Sequence, residues 1–284
     1  MTAQIVSGKS LALTIKEDLK NEVSELIFSG KRVPGLVTVL VGDDPASKVY
    51  VGSKSKMCIE IGMYSENIIL DKDISEEKLV FEIEKLNKRD DIDGILVQLP
   101  LPKHISARLI TDTINQRKDV DCFHSYNVGS LVSGNPIIKP CTPHAVMKMI
   151  KSTSVNLIGK KALVVGASNI VGKPLVFELL REGCTVSIAN SKTINLSDMV
   201  LQSDIVIAAV GKKHLIQGSW IKDGAIVIDV GINRGDDKKI YGDVDFDEAS
   251  KRASFISPVP GGVGPMTIMM LMYNTLELYK INNK

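Results

Sequence analysis

The sequence predicts an α/β protein with two domains and parallel sheets. Its 284 residues are enough for about two domains. Short apolar runs rich in β-branched residues alternate with amphipathic helical segments, as in strand–helix–strand units with parallel strands. In the second half, a turn that begins and ends with glycine lies between a predicted buried strand and a predicted helix, a position typical of nucleotide-binding turns.

The composition excludes several classes of protein. Hydrophobic residues make up 44% and charged residues 24%, and 35 basic against 33 acidic residues give a net charge of +2. This balance favours neither a nucleic acid nor an anionic membrane as a partner. No apolar run approaches the ~18 residues of a membrane span, and the first residues lack a signal-peptide pattern, so we expect a cytoplasmic protein. The cysteines form no C-x-x-C pair and no metal spacing with the histidines, which predicts reduced thiols and no metal site.

The first half is predicted to alternate helices and strands. Ser7 can cap the first helix, whose apolar residues recur at steps of three and four until Gly30 ends it. Asp44 and Pro45 are typical of the start of a second helix, which ends near Gly62. The other predicted elements are strands over 35–41, 67–70 and 94–99, a helix that begins at Ser75, and a helix over about 106–116.

A loop-rich stretch over 117–143 separates this half from a second α/β block. Thr142 can cap a helix with Pro143 in its first turn that runs to about Ile150. The elements predicted next are strands over 161–166, 185–189, 204–210 and 225–230, with helices over 171–182, from 243 onward, and at the end of the chain to about 279.

The turn from Gly166 to Gly172 is a candidate dinucleotide site. The phosphates would lie against the N–H groups at the start of the following helix. The spacing departs from G-x-G-x-x-G, so an ordinary strand–helix turn is the alternative. About 20 residues on, where NAD enzymes carry an acid for the ribose 2′-hydroxyl, this chain has Asn190, Ser191 and Lys192, which suit a 2′-phosphate better.

Polar residues of the first half form a second candidate site. Tyr50 and Lys54 share one helix face, where both could reach one ligand, although surface lysines are usually only solvated. Short-chain dehydrogenases also use Tyr-x-x-x-Lys, but after their nucleotide fold, whereas here the pair comes first. Gln98 falls at the carboxyl end of a predicted strand, where ligands bind in open α/β sheets, or it bonds a loop carbonyl. Asp119 and Asp121 could bind N–H groups of a heterocycle or simply form turns.

The segment 260–265 holds three glycines and two prolines in six residues. Such a density of glycine implies close backbone approach or several positive φ angles. We favour a ligand-facing loop over a tight structural turn.

Together these segments resemble the bifunctional methylenetetrahydrofolate dehydrogenase/methenyltetrahydrofolate cyclohydrolase family along essentially the whole chain. The motifs that carry the resemblance, in the family's order, are YVGSKSK (50–56), QLPLP (98–102), KDVD (118–121), PCTP (140–143), S-x-IVGKP (168–174), SKT (191–193), GIN (231–233) and PVPGGVGPMT (258–267).

The resemblance implies a fold and a reaction. A three-layer α/β folate domain, residues 1–142 plus 267–284, would be joined to a Rossmann-type domain over 143–266, with the C-terminal helix returning to the first domain and the catalytic cleft between the two. The enzyme would oxidise 5,10-methylenetetrahydrofolate with NADP and hydrolyse the resulting 5,10-methenyltetrahydrofolate to 10-formyltetrahydrofolate. Tetrahydrofolate derivatives of one-carbon metabolism, which feed purine biosynthesis, would be its substrates, and the Rossmann domains would form a homodimer.

Roles for individual residues follow from the resemblance. Lys54 would move the protons of cyclohydrolysis, Gln98 would hold that lysine, Tyr50 would pack along the folate and Asp121 would anchor the pterin. The remaining residues expected at the folate are Leu99, Pro260, Gly261 and Gly262. Those expected at the cofactor are Gly166, Ala167, Ser168, Ile170, Val171, Gly172, Ser191, Lys192, Ile232 and Thr267.

Four positions depart from the family pattern. Ala167 replaces an arginine that helps to bind the 2′-phosphate, and Asn190 replaces a common histidine, which weakens the preference for NADP. Ser191 and Lys192 remain and no carboxylate replaces the lost arginine, so NADP is still favoured, with NAD as an alternative. Cys122 and Ala145 replace glycines, and a required positive φ at either would change the local loop. A dehydrogenase without cyclohydrolase activity would fit a loop that misplaces Asp121. A noncatalytic dinucleotide-binding regulator is a further alternative.

Overall fold

The computed structural model describes residues 2–283. Its elements, in chain order, are β1 (Gln4–Ile5), α1 (Gly8–Phe28), β2 (Gly35–Val41), α2 (Pro45–Ile61), β3 (Tyr64–Leu70), α3 (Glu76–Asn87), β4 (Gly94–Val97), α4 (Ala107–Thr113), α5 (Ser125–Val132), α6 (Cys141–Lys151), β5 (Lys161–Val165), α7 (Gly172–Arg181), β6 (Thr185–Ala189), α8 (Leu196–Leu201), β7 (Ile205–Ala208), a short 3-10 helix (Gly218–Trp220), β8 (Ile226–Asp229), β9 (Asn233–Arg234), β10 (Ile240–Tyr241), α9 (Phe246–Ala249), β11 (Phe255–Ile256) and α10 (Val263–Asn282).

The chain divides into two compact units. The first, called the three-stranded unit, comprises residues 14–141 and 268–283; the second, called the six-stranded unit, comprises residues 2–13 and 142–267. The chain passes from one unit to the other within α1, at the start of α6 and within α10.

The three-stranded unit has a parallel sheet in the order β3-β2-β4. Every residue of β2 is buried, as expected for a central strand covered on both faces. Val37, Val39 and Val41 pack with apolar residues of α3 and α4 on one face. On the other face Gly94 is close to Thr275 of α10, because a Cβ at Gly94 would lie 3.3 Å from the Thr275 hydroxyl oxygen. Helices therefore cover both faces of this sheet, in three layers.

Local signals begin and end the helices of this unit as predicted. The Asp44 carboxylate accepts a hydrogen bond from the Ser47 N–H at 2.8 Å, and Pro45 is the first residue of α2. The helix ends at Gly62, whose φ of 94° is left-handed. Ser75 caps α3 in the same way as Asp44 caps α2. The caps at Asp44 and Gly62 fix the two ends of α2 and therefore the position of the candidate lysine along this helix.

The six-stranded unit has a fully parallel sheet in the order β1-β11-β8-β7-β5-β6. The chain runs from β5 outward to β6 and then returns to β7 on the other side of β5. This reversal is the point at which ligands bind in open α/β sheets. The carboxyl ends of β5 and β7 at this point are followed by the Gly166 turn and by residues 209–212. The parallel α/β class predicted from the sequence is confirmed.

Some elements differ from the sequence prediction. Helix α5 lies within the stretch that was expected to be loop, and α6 begins at Cys141 rather than after Thr142. The predicted first domain included the first residues of the chain, but β1 pairs with β11, which joins residues 2–13 to the six-stranded unit. A strand of two residues has too few side chains for an alternating pattern, so no periodicity indicates this pairing.

None of the helices between residues 2 and 283 is both long enough and apolar enough to cross a membrane. Within the same range, no group of three or more His, Cys, Asp and Glu side chains is arranged to hold a metal ion.

Candidate active site

Lys54 lies in the middle of α2, one turn after Tyr50. Its ammonium nitrogen donates a hydrogen bond to the Gln98 side-chain oxygen at 2.9 Å. Tyr50 has 44% of its surface exposed, while Lys54 is only partly exposed. The spacing of four residues predicted that both side chains share one helix face, and the contact with Gln98 adds a partner from the sheet.

Gln98 follows directly after β4, at the carboxyl end of the parallel sheet. Its backbone N–H donates to Val39 O at 2.8 Å, which ties the residue to β2. Its side-chain nitrogen donates to Leu99 O at 2.7 Å. Because the nitrogen is used in this way, the amide oxygen faces Lys54, and the lysine is held by an acceptor of fixed orientation.

Asp121 brings a carboxylate to the same place. Burial raises the pKa of Asp121, while the positive charge of Lys54 and a hydrogen bond from the Cys141 thiol lower it. Burial, with the negative charge of Asp121, also raises the pKa of Cys141 well above its ordinary value. Lys54, Gln98, Asp121 and Cys141 therefore form one cluster, in which the thiol stays protonated at neutral pH.

The loop that carries Asp121 is anchored by Asp119. The Asp119 carboxylate is 1% exposed and accepts hydrogen bonds of 2.8 Å from the Asn127 side chain and the His124 N–H. Burial raises the pKa of Asp119 and these donors lower it. Asn127 belongs to α5, so the helix that the sequence did not predict helps to fix this loop.

Cys122, the residue after Asp121, has a φ of 61°. This is the left-handed region, where a non-glycine residue costs about 1–2 kcal/mol. The loop thus has a backbone conformation at Cys122 that suits glycine, the residue that the resemblance leads us to expect at this position. Ala145 lies inside α6 and is fully buried, and it is not among the residues with positive φ.

Asn274 of α10 binds the same loop from another side. It is 1% exposed, and its side-chain nitrogen donates to Val120 O and Lys139 O, both at 2.8 Å. The nitrogen also lies 3.5 Å from the Cys141 sulfur. Val120 directly precedes Asp121 and Lys139 lies two residues before Cys141, so Asn274 holds the backbone close to both residues of the cluster.

The Gly166 turn of the six-stranded unit is closely packed. A Cβ at Gly172 would lie 1.8 Å from Gly166 O, and a Cβ at Gly166, where φ is 118°, would lie 2.1 Å from Ala209 O. The Ser168 hydroxyl accepts from the N–H groups of Val171 and Gly172 at 3.2 and 3.3 Å. Glycine is therefore required at both ends of the turn, which brings bare backbone to the start of α7 and fits a dinucleotide pyrophosphate.

The other residues expected at the cofactor belong to the same unit. Ser191 and Lys192 are exposed just beyond the carboxyl end of β6, and Ile170 and Ile232 are 42% and 48% exposed. Thr267, in α10, lies with its hydroxyl 3.2 Å from that of Thr142.

The glycine-rich loop expected at the folate also lies in the six-stranded unit. The Lys9 N–H donates to Gly261 O at 2.9 Å, and a Cβ at Gly8 would lie 1.8 Å from Gly262 O. Gly261 has a φ of 101°. The segment therefore has both features that its glycine content predicts: a positive φ, and close backbone approach, which is to Gly8 and Lys9 of the same chain.

Two family models match the chain. The catalytic domain of tetrahydrofolate dehydrogenase/cyclohydrolase matches residues 6–121, and the NAD(P)-binding domain of the same family matches residues 140–283. The chain belongs to the tetrahydrofolate dehydrogenase/cyclohydrolase family. The family predicted from the sequence motifs is confirmed.

Members of this family match along almost the whole chain. The bifunctional protein FolD of Geotalea daltonii is 53% identical over 278 residues, which are 98% of this chain and 99% of that protein. The crystal structure of the bifunctional enzyme FolD from Campylobacter jejuni has a TM-score of 0.96 and 47% identity over 99% of both chains. The FolD structure of Trypanosoma brucei, complexed with NADP cofactor and inhibitor, has a TM-score of 0.96 and 39% identity, covering 100% of this chain and 99% of that one.

Some site residues of this family member escaped the sequence analysis. Cys141 was expected only as part of a motif and as a reduced thiol, and no contact with Asp121 was expected. No motif points to Asn274; the available signal is its place as an amide in the apolar run of α10, because a buried polar group needs partners. Asp119 was named, but as a ligand candidate; the structure instead uses its carboxylate to hold the loop.

Proposed function

We propose that Lys54, Gln98, Tyr50 and Asp121 form the folate site of this enzyme and that the Gly166 turn binds NADP. As a member of its family the protein is a bifunctional enzyme that oxidises 5,10-methylenetetrahydrofolate to 5,10-methenyltetrahydrofolate and hydrolyses the latter to 10-formyltetrahydrofolate. The observation that carries the assignment of residues is the 2.9 Å contact between Lys54 and Gln98 beside the Asp121 carboxylate. In this proposal the three-stranded unit supplies the lysine, glutamine, tyrosine and aspartate of the folate site, and the six-stranded unit supplies the cofactor site.

Cyclohydrolysis requires proton transfers at two atoms. Water adds to the methenyl carbon and loses a proton; the carbon–N5 bond then breaks as N5 gains a proton and the carbonyl of the formyl group forms, with release of one proton overall. Lys54 is assigned to take the proton from the attacking water and to return one to N5. Gln98 keeps the lysine nitrogen in place through both transfers, because its amide oxygen accepts from either protonation state of the amine.

Asp121 and Tyr50 are assigned to binding. A carboxylate close to Lys54 can accept hydrogen bonds from the N–H groups of a pterin ring, and its charge complements a cationic methenyl substrate. The exposed ring of Tyr50, one helical turn from Lys54, offers an apolar face against which the flat substrate can stack. Leu99, whose carbonyl holds Gln98, would extend the folate surface within the same unit.

The dehydrogenase step requires contact and orientation rather than an acid or a base. Bound NADP would supply the hydride acceptor. The Gly166 turn, with Ala167, Ser168, Ile170, Val171 and Gly172, would bind the pyrophosphate at the start of α7, and Ile232 and Thr267 would contact the rest of the cofactor. Positioning of the two reactants is then the main contribution of the protein.

We assign the 2′-phosphate of NADP to Ser191 and Lys192. Both are exposed beyond the end of β6, next to the strand that leads into the Gly166 turn, and none of residues 190–193 is acidic. Ala167 supplies no cation, so Lys192 carries the preference alone. Replacing Lys192 with Ala should raise KM for NADP about tenfold and leave KM for NAD within twofold, as expected for one exposed charge contact of ~1.4 kcal/mol. An equal change for both cofactors, or a wild type that prefers NAD, would contradict the assignment.

The central test replaces Lys54 with methionine, which keeps the length and apolar stem of the side chain. We expect loss of methenyltetrahydrofolate hydrolysis, followed by its absorbance, while hydride transfer to NADP stays measurable. Lys56→Met is the matched control, because Lys56 lies on the same helix with 79% of its side chain exposed. Survival of both activities in Lys54→Met would remove this lysine from the mechanism.

We also propose that two copies associate through the six-stranded unit. Strand β6 is at the edge of its sheet, with β5 on one side, and Ile188 and Ile194 are 39% and 81% exposed. An open edge strand of this kind usually needs a cover. Light scattering of the wild type should give twice the mass of one chain, and Ile188→Lys should give the single mass with cyclohydrolysis retained. A monomeric wild type would contradict this proposal.

A further inference from the structure

Asp243 makes an unusual set of hydrogen bonds for a residue outside the proposed site. It is fully buried, and one carboxylate oxygen accepts from the N–H groups of Val210 and Gly211 at 2.6 and 3.0 Å. The other oxygen accepts from the Lys212 N–H at 2.8 Å and from the Asn233 side chain at 2.9 Å. Three consecutive backbone N–H groups thus converge on one carboxylate, an arrangement that normally binds an anion from outside.

Asp229 extends this arrangement to the next strand. It ends β8, is 4% exposed, and one of its oxygens accepts from the N–H groups of Gly231 and Asp243 at 2.9 and 3.0 Å. Its other oxygen accepts from the Val244 N–H at 2.8 Å. The two carboxylates are linked because the backbone of Asp243 binds Asp229.

The segments held in this way lie at the ligand edge of the sheet. Residues 210–212 follow the carboxyl end of β7, and Gly231 and Asn233 follow that of β8, on either side of Ile232. Ala209, next to Val210, is the residue whose carbonyl a side chain at Gly166 would strike. The backbone held by Asp243 is therefore in direct contact with the turn assigned to the dinucleotide.

We propose that Asp243 and Asp229 are positioning residues for the cofactor: they hold the loops after β7 and β8 in the shape that the nicotinamide half of the dinucleotide requires. The proposal rests on the assignment of the dinucleotide to the Gly166 turn. Neither carboxylate touches the cofactor; each acts through the backbone on which Ile232 and residues 210–212 are carried.

A close packing of glycines around the carboxylates supports a role in shape rather than in charge alone. A Cβ at Gly231 would lie 2.2 Å from an Asp243 oxygen, and a Cβ at Gly242 would lie 2.0 Å from an Asp229 oxygen. The two carboxylates fill the space that these glycines leave, so each carboxylate packs directly against the backbone of these loops.

The test exploits the fact that cyclohydrolysis needs no dinucleotide. Asp243→Asn keeps the size of the side chain, but its NH2 group must face two of the four donors whichever way the amide turns. We expect the Kd for NADPH, measured by its fluorescence, and KM for NADP to rise at least tenfold, while kcat/KM for methenyltetrahydrofolate hydrolysis stays within twofold. Asp245→Asn is the matched control, because Asp245 lies two residues away and makes no side-chain cap to α9; it should change neither quantity.

Two outcomes would overturn the inference: NADPH affinity unchanged in Asp243→Asn, or a parallel fall of both activities, which would mean a general structural role. Should Asp243→Asn fail to fold, Asn233→Ser removes one donor from the same carboxylate and should raise the Kd about threefold with hydrolysis intact; an unchanged Kd there would also overturn it. A wild type that does not bind NADPH would instead refute the proposed function.

Discussion

Replacing Asn274 with leucine should loosen the loop that carries Asp121. The side chain keeps its approximate size, so the change removes hydrogen bonds and leaves no large cavity. The carbonyls of Val120 and Lys139 each lose a donor at 2.8 Å, and the Asn274 side-chain oxygen, which has no hydrogen-bond partner in the structure, is removed with it. Each lost bond costs ~1–3 kcal/mol, and removal of the partnerless oxygen returns ~1–2 kcal/mol, which leaves a net loss of ~2 kcal/mol.

Urea unfolding followed by circular dichroism measures this loss, and KM for methenyltetrahydrofolate measures its effect on Asp121. We expect KM to rise while the Kd for NADPH stays constant, because Asn274 acts only within the three-stranded unit. Asn282→Leu is the control on the same helix: its side chain donates one exposed bond to Arg117 O at 2.9 Å and should cost less than ~0.5 kcal/mol. Equal losses for the two variants, or an unchanged KM in Asn274→Leu, would refute the reasoning.

Three further predictions concern stability and the cofactor turn. Burial raises the pKa of Asp229 from 3.8 to about 6. Its contribution to the free energy of unfolding is therefore largest below pH 4 and falls by ~3 kcal/mol as the pH rises to 6. Urea titrations at pH 4 and 7 measure the difference in this free energy between wild type and Asp229→Asn, and the same difference at both pH values would contradict the prediction. Gly172→Ala puts a Cβ 1.8 Å from Gly166 O, so the Kd for NADPH should rise more than about tenfold with hydrolysis retained; unchanged binding would show that the turn can shift. Asp93 is 1% exposed and accepts two hydrogen bonds of 2.6 and 2.8 Å from Arg32. Arg32→Ala leaves this buried carboxylate without its cation and should lower the free energy of unfolding by ~3 kcal/mol. A loss below ~1 kcal/mol would mean that water replaces the guanidinium.

Local signals explain why much of the fold could be predicted. The Asp44–Pro45 cap, the Ser75 cap and Gly62 act within a few residues, so the sequence contains all that is needed to begin or end these helices. The continuous apolar run of β2 likewise reports burial on both faces. In contrast, β1 and β11 have two residues each and exist only because they pair with each other and with β8. Helix α5 begins at Ser125 after His124, an unusual N-cap, amid residues that otherwise favour turns.

The candidate site could be predicted in its residue types and only partly in its contacts. The spacing of Tyr50 and Lys54 alone predicts that they share a helix face, and the position of Gln98 at the end of a predicted strand makes it a candidate ligand-binding residue. That Gln98 turns its oxygen toward Lys54 depends on the bond from its nitrogen to Leu99 O, which only the folded backbone provides. The contact of Cys141 with Asp121 and the hydrogen bonds from Asn274 to the carbonyls of Val120 and Lys139 join segments far apart in the chain. No periodic pattern encodes such pairs.

The pairing of β1 with β11 has a consequence for synthesis on the ribosome. Residues 4–5 are made about 250 residues before their partner strand, which at ~5–20 residues per second means a delay of some ten to fifty seconds. Completion of the three-stranded unit is delayed still longer, because α10, which covers one face of its sheet, is made last. Nascent chains arrested before residue 255 should therefore be sensitive to protease at both ends, and neither unit can be released whole by cutting the chain at a single point.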